Sequence, residues 1–296
     1  MEHLRGNSYF FNARTSFGGY KIGDQLILID SGNDDSSVKK AIRPWGDIHI
    51  AAILNTHSHA DHCGGNAYIQ KQFGSDIYAP ELEKAFIENP ILEPTYLFGA
   101  SPLEVLKNKF LYVKPSVVTH TLVESGAFQV KVGDQTIDMM ALALPGHAPN
   151  QMGYITPDGI AYLGDALVSE DITQKHPLIF TFDVKQHLES LEQLKAVKAH
   201  GYVIAHGGYF DDIEPLIIAN QNALLSTQDE ILSCLKHGEC TLDDVHEHLA
   251  QLYHLEENIS QAYLNRSVIT AHVKHLIESS KINLNIQCGK ILLQKI

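Results

Sequence analysis

The first two thirds of this 296-residue chain predict an α/β fold, and three observations carry that expectation. Near-continuous apolar runs of strand length occur at 25–29, 49–54 and 201–205. Segments of helical period lie between such runs, at 35–42, 66–72 and 183–199. Each buried run stops at a histidine, asparagine or aspartate beside a turn, and ligands of α/β sheets collect beyond the carboxyl ends of strands.

In chain order, 8–11 and 19–22 read as short strands, and 25–29 is a strand that ends at Asp30. Asp30 has two readings. It is turn chemistry with Ser31 and Gly32, or a carboxylate that orients a metal-binding histidine; the local sequence favours the turn. A helix follows at 35–42, and the strand at 49–54 leads into Thr56-His57-Ser58-His59-Ala60-Asp61-His62-Cys63-Gly64-Gly65. Histidine and aspartate cost free energy to bury unless each finds a partner, and one ion satisfies several at once. Alternate loop residues project to one side, so His57 and His59 can grip one ion while Asp61 and His62 face an adjacent position. Imidazole nitrogen suits zinc, iron or nickel. Cys63 is a further candidate ligand, although the histidines and carboxylates suffice without it.

Residues 80–115 change character. Helices are expected at 81–87 and 102–110, around an aromatic and proline-rich stretch at 89–99. The segment reads as a lid or pocket wall, or equally as an insertion packed on the sheet. Its candidate substrate-facing residues are Tyr96, Phe98, Phe110 and Tyr112. Strands are expected at 117–122, 128–132 and 137–142, followed by a shaped loop with His147 at its centre. A hairpin at 152–155 and 160–163 runs into Asp165. After the helix at 183–199, the strand at 201–205 ends at His206-Gly207-Gly208, with Tyr209 as a further pocket candidate. A lone strand-end histidine or aspartate ordinarily makes local hydrogen bonds. Their shared context argues that these groups converge at one sheet edge.

Composition bounds the partners. The chain is 44% hydrophobic and carries a net charge of −13, which disfavours binding to phosphate backbones and leaves a small-molecule substrate open. The N-terminus lacks the apolar core of a signal peptide, and no run approaches a membrane span, so a cytoplasmic enzyme without membrane association is expected. The four cysteines contain no CxxC pair and read as free thiols.

At this point the chain resembles the metallo-β-lactamase superfamily. The matching pieces are Asp30 after a strand, His57-x-His59-x-Asp61-His62, His147 in Pro-Gly-His, Asp165 in Leu-Gly-Asp-Ala, and His206 in Ala-His-Gly, across roughly residues 8–210. The resemblance implies an αββα sandwich of two mixed sheets flanked by helices, with two divalent metal ions at one edge, zinc before iron or manganese. It implies that His57, His59 and His147 hold one ion, that Asp61, His62 and His206 hold the other, and that Asp165 bridges them. It also makes Asp30 the outer carboxylate, against the local preference for a turn. A hydroxide between the metals would cleave a small ester, thioester or lactone, with Asp61 as the catalytic carboxylate, as in the glyoxalase II-like branches. Ala148 stands where those branches usually carry Thr or Ser. The alternatives are a mononuclear iron dioxygenase of persulfide type, a metal-dependent nuclease or phosphodiesterase, and a non-catalytic binding module.

The expected organisation is a catalytic domain over 1–211 and a small, mostly helical, winged-helix-like domain over 212–296. The latter holds helices at 212–235, from Thr241, and at 260–279, then a hairpin in which Ile282, Leu284, Ile286, Ile291 and Leu293 alternate. It has six basic and eleven acidic residues, so nucleic-acid binding is disfavoured there, and a structural or homodimerising cap at the mouth of the site is preferred.

Overall fold

Two mixed sheets stack face to face, and helices cover their outer faces. The computed structural model describes residues 1–296, the side chain of His237 excepted. The first sheet runs in chain order: β1 (Glu2–Arg5), β2 (Ser8–Phe11), β3 (Phe17–Ile22), β4 (Gln25–Ile29), β5 (His49–Leu54), β6 (Asp76–Pro80) and β7 (His120–Leu122). The second comprises β8 (Gly126–Val132), β9 (Gln135–Ala143), β10 (Met152–Ile155), β11 (Ile160–Tyr162), β12 (Gly201–Ile204) and β13 (Gly208–Phe210), in reverse order across the sheet.

The apolar runs are continuous because both faces of each inner strand are covered. On β4, Ile27 and Ile29 enter the core between the sheets, while Leu26 and Leu28 pack under the outer helices. Those helices are α1 (Asp35–Ile42) and α3 (Asn66–Phe73); between them α2 (Ala60–Cys63) is a single turn. Next come α4 (Glu81–Glu88) and α5 (Leu92–Phe98), then α6 (Glu170–Lys175), and α7 (Val184–Leu194) covers the second sheet. The chain continues through α8 (Glu214–Cys234), α9 (Leu242–Tyr253) and α10 (Ile259–Glu278) to a hairpin of β14 (Ile282–Gln287) and β15 (Lys290–Lys295). Thr241 and Asp244 close the expected capping box on α9. Among the described residues no helix is long and apolar enough to cross a membrane.

Several expectations are corrected. Residues 102–110 form only one 3-10 turn, Glu104–Leu106. There Asn108 donates to Val105 O and accepts from Phe110 N, so its side chain takes the backbone groups a helix would use. The strand expected from 117 begins at His120, because Val117 pairs in both directions with the Gln70 side chain and Val118 donates to Glu88. The helix from 183 ends at Leu194; Lys195, Ala196 and Val197 close tighter three-residue bonds instead. In the last hairpin Ile282 and Leu293 are buried, but Leu284, Ile286 and Ile291 are exposed. The expected metal loop contains α2, and β1 adds a strand at the edge of the first sheet.

Helix α8 begins just after the expected division at 211/212 and packs into the cores on both sides of it. Leu216, Ile217 and Leu224 pack with the second sheet, whereas Ile231 joins Val245, Leu249, Val268 and Leu276 in the C-terminal core. Buried Asn220 on α8 also grips the loop after β11: its Oδ1 accepts from Val168 N at 3.1 Å and its Nδ2 donates to Val168 O at 2.8 Å. Val168 in turn bridges to His206, and Ser169 N donates to His206 O. Asn220→Ala strands both backbone groups of Val168. A stranded buried group costs about 1–3 kcal/mol, so the variant is expected to lose about 2–6 kcal/mol in total. At roughly 2–4 °C per kcal/mol, its melting temperature should fall by several degrees. A thermal unfolding curve that overlays the parent's would show that this grip contributes nothing.

Candidate metal centre

Five segments bring eight side chains to one sheet edge. β5 ends at Leu54, and His57, His59, Asp61 and His62 follow on the turn into α2. His147 comes from the β9–β10 loop, Asp165 follows β11, and His206 follows β12. Asp30 at the end of β4 completes the edge. All the ligand residues expected from sequence therefore meet. Three groups are close enough to share an ion: His57, His59 and His147; His57, His62 and Asp165; and Asp61, His62 and His206.

The separations suit coordination. His57 Nε2 and His147 Nε2 each lie 3.0 Å from His59 Nδ1. His206 Nε2 is 3.3 Å from Asp61 Oδ2, and His62 Nε2 is 3.9 Å from the same oxygen. Asp165 reaches both halves: Oδ1 lies 3.3 Å from His62 Nε2, and Oδ2 lies 3.5 Å from His147 Nε2 and 3.2 Å from His206 Nε2. A tetrahedral ion with ligands at about 2.1 Å sets its ligand atoms about 3.4 Å apart. The buried His62 Nε2 and Asp165 Oδ1 have no hydrogen-bond partner, which is costly unless a cation sits between them.

The two halves differ electrically. Burial and the neighbouring imidazoles push His57 well below its ordinary pKa. Burial likewise lowers His59 to about 4 and takes His147 down. That trio is held neutral, the state in which imidazole binds metal. Burial opposes charge on His62 as well, but the Asp165, Asp30 and Asp61 carboxylates override it and raise its pKa. Asp165 is the main cause that raises His206 to about 10. The Asp165 and Asp61 carboxyls fall below the usual range, because the nearby histidines outweigh their burial. The second half is thus a cluster of paired charges, and it is the open half: His206 is 28% and Asp61 25% exposed, against 6% for Asp165.

Several of these residues are braced from behind. Asp30, at φ 64°, accepts from Thr56 N at 2.7 Å, Thr56 Oγ1 at 2.8 Å and His62 Nδ1 at 2.8 Å. His147 Nδ1 donates to Phe180 O at 3.1 Å, and the Phe180 ring stands 5.3 Å from His59 and 5.5 Å from His147. Gly146 has φ 131°, and a Cβ there would fall 2.3 Å from the His187 backbone. His187 itself spans Thr181 Oγ1 and Ala166 O. Glu83 on α4 accepts from Ser58 N, Ser58 Oγ and Asn150 N, tying the His57–His59 turn to the His147 loop. Thr15 Oγ1 donates to Asp61 Oδ2 at 2.8 Å.

Glu83, Asn220, His187, Phe180 and Thr15 went unrecognised in the sequence. Glu83 sits in an ordinary amphipathic run, and nothing local marks its burial. Cys63 is not in any ligand group; its buried thiol donates to Ser58 O and His59 O. Of the aromatic candidates, Tyr96 packs by Phe86 and Phe182, Phe110 lies under Arg14, and Tyr112 is exposed. Tyr209 donates to Asp211 and lines a surface cavity. Phe98 is taken up against Tyr263 of α10, in an apolar cluster with Leu97, Leu106 and Leu111.

Asp30→Asn keeps the side-chain shape but turns one acceptor into a donor opposite Thr56 or His62. Affinity for added zinc is expected to fall roughly 10–100-fold in a competitive chelator titration. Parent-like affinity would mean that His62 needs no orienting partner.

Residues 5–206 match the family model of the metallo-beta-lactamase superfamily. A hydroxyacylglutathione hydrolase of Xanthomonas campestris pv. campestris (strain B100) is 26% identical over 220 residues, covering 72% of this chain and 69% of its own. A metallo-beta-lactamase family protein from Thermus thermophilus shares the fold at TM-score 0.73 and 18% identity, over 98% of this chain and 99% of its own. A beta-lactamase domain protein from Burkholderia ambifaria does so at TM-score 0.69 and 15% identity, over 95% and 87%. Likeness to both structures runs through the C-terminal helices.

Proposed function

The chain belongs to the metallo-beta-lactamase superfamily, and from that premise we propose that it holds two divalent metal ions, zinc before iron or manganese, and hydrolyses a small ester, thioester or lactone. The observation that carries this reading is the placement of Asp165, with one oxygen toward His62 and the other toward His147 and His206. A carboxylate so shared suits a bridge between two ions. His206 supports a second ion beside Asp61 and His62, which a mononuclear iron dioxygenase would not require. The name of the Xanthomonas relative, a hydroxyacylglutathione hydrolase, supports an acyl substrate.

When bound, such ions bring the pKa of water down to about 7 and polarise a carbonyl oxygen. The residues do the rest. Asp61 is the most open of the site's acids, and Thr15 holds its Oδ2. We assign it to orient the attacking water. His57, His59 and His147 stay neutral and fixed, and the Phe180 ring shields their flank from solvent. The C-terminal region, with six basic and eleven acidic residues, supports a cap at the mouth of the site over a nucleic-acid reader.

Elemental analysis of purified protein, with a panel of esters, thioesters, lactones and a generic phosphodiester, tests the reading. Two zinc or manganese ions per chain and turnover of an acyl substrate are expected. One iron per chain, or turnover confined to the phosphodiester, would replace it with one of its rivals. His59→Ala should lose the ion of the neutral trio and about 10²–10³-fold in kcat, since a lost metal removes several kcal/mol of transition-state stabilisation. Parent-like metal content and rate in that variant would place the centre elsewhere.

A further inference from the structure

All four cysteines are free thiols, and two of them touch. Cys234 is the last residue of α8, and Cys240 stands just before Thr241 caps α9. Their Sγ atoms lie 3.6 Å apart. The short stretch between them makes one 3-10 turn, Leu235–His237, and then passes through Gly238 at φ 139°, a backbone that favours glycine. Cys240 is held from its other side by β15: Cys240 N donates to Leu293 O at 3.1 Å, and Leu293 N donates to Cys240 O at 2.7 Å. The two sulfurs therefore sit where the end of α8 meets the last strand, at the rim of the C-terminal core.

A half-buried cysteine ordinarily packs as a small apolar residue. This pair has more than packing. An S–S bond is about 2.05 Å long, so side-chain rotation that closes the gap by about 1.5 Å makes one. Both sulfurs are only half-buried, so a small oxidant reaches them. Burial and the neighbouring Cys240 sulfur push the Cys234 thiol up to about 12, which keeps it protonated and leaves Cys240 to react first. Among the described residues neither belongs to a group of candidate metal ligands. The other two cysteines are placed differently. Cys63 is buried with its thiol given to Ser58 O and His59 O, and Cys288 is exposed on the turn between β14 and β15.

We propose that Cys234 and Cys240 form a reversible redox site, a dithiol that hydrogen peroxide converts to a disulfide and that a thiol reductant restores. The Cys240 thiolate attacks one oxygen of the peroxide. The O–O bond breaks, hydroxide leaves and takes up the proton that Cys240 gave up, and Cys240 becomes a sulfenic acid. The Cys234 sulfur then attacks the Cys240 sulfur. The S–S bond forms, the S–O bond breaks, and the departing hydroxide takes the Cys234 proton. Two thiols lose two electrons, and one peroxide becomes two waters. The link ties α8, which packs in two cores, to the residue that pairs with β15. It closes a short loop and so narrows the unfolded chain, which makes the oxidised form the more stable one.

The test treats the metal-loaded protein with hydrogen peroxide, blocks remaining thiols with N-ethylmaleimide and maps the tryptic peptides. Lys236 lies between the two cysteines, so trypsin separates 199–236 from 237–266, and only a disulfide holds those peptides together. The treated chain is expected to retain two free thiols, Cys63 and Cys288, and to yield the linked peptides, which dithiothreitol releases. Its melting temperature should rise by about 3–8 °C. Cys234→Ser should lose both the link and the rise, and Cys288→Ser should keep both. Four free thiols after treatment, a sulfinic or sulfonic acid on Cys240 in place of the link, or a link through Cys288 overturns the site. A linked form that melts with the reduced parent, or a rise that survives Cys234→Ser, overturns the stabilisation.

Discussion

Three donors meet on the Asp30 carboxylate, and the geometry of the whole sheet edge depends on them. Thr56 offers both its N–H and its hydroxyl, and His62 offers Nδ1. Thr56 immediately precedes His57, and His62 closes the turn, so one buried carboxylate sets both ends of the four-residue ligand run. It thereby fixes which nitrogen of His62 carries the proton and which is left to face a metal. The left-handed backbone at Asp30 costs free energy, and such strain persists only where the surroundings over-determine it.

Around that anchor, parts of the chain far from the chemistry act as struts. Glu83 joins two ligand loops from the side of α4, and Asn220 grips a third from α8. Phe180 contributes a carbonyl to His147 and also packs at the border of the C-terminal core, beside Leu178. The C-terminal helices are therefore mechanically continuous with the metal loops. Helix α10 also takes up Phe98, which anchors the segment after α4 to the same support.

Much of this was legible in the sequence where information is local. Buried strands declare themselves as apolar runs, and the polar groups stand beside turns at their ends, so the α/β pattern and a meeting of these groups could be anticipated, while the αββα layering and the ligand sets came with the family resemblance. Asp30 was legible only through the family resemblance, because a strand-end aspartate before Ser31 and Gly32 looks the same when it merely closes a turn. The braces were not legible. Glu83 and Asn220 act across dozens of residues, and their burial, like that of His187, depends on packing that no short window contains. The same limit explains residues 102–110 and 117–119, where Asn108, Gln70 and Glu88 side chains satisfy backbone groups that periodicity assigns to a helix or strand. The division at 211/212 was drawn at a change in pattern, and α8, which starts at Glu214, contributes apolar residues to two cores.

The ligands' distribution along the chain also bears on how such a centre is assembled. The first sheet alone can offer His57, His59, Asp61 and His62, but His147, Asp165 and His206 all arrive with the second. A nascent or half-made chain presents only part of either trio and has no shared carboxylate to join them. Neither candidate trio is complete until both halves of the sandwich have closed, so the centre is a property of the finished architecture and of no single sheet.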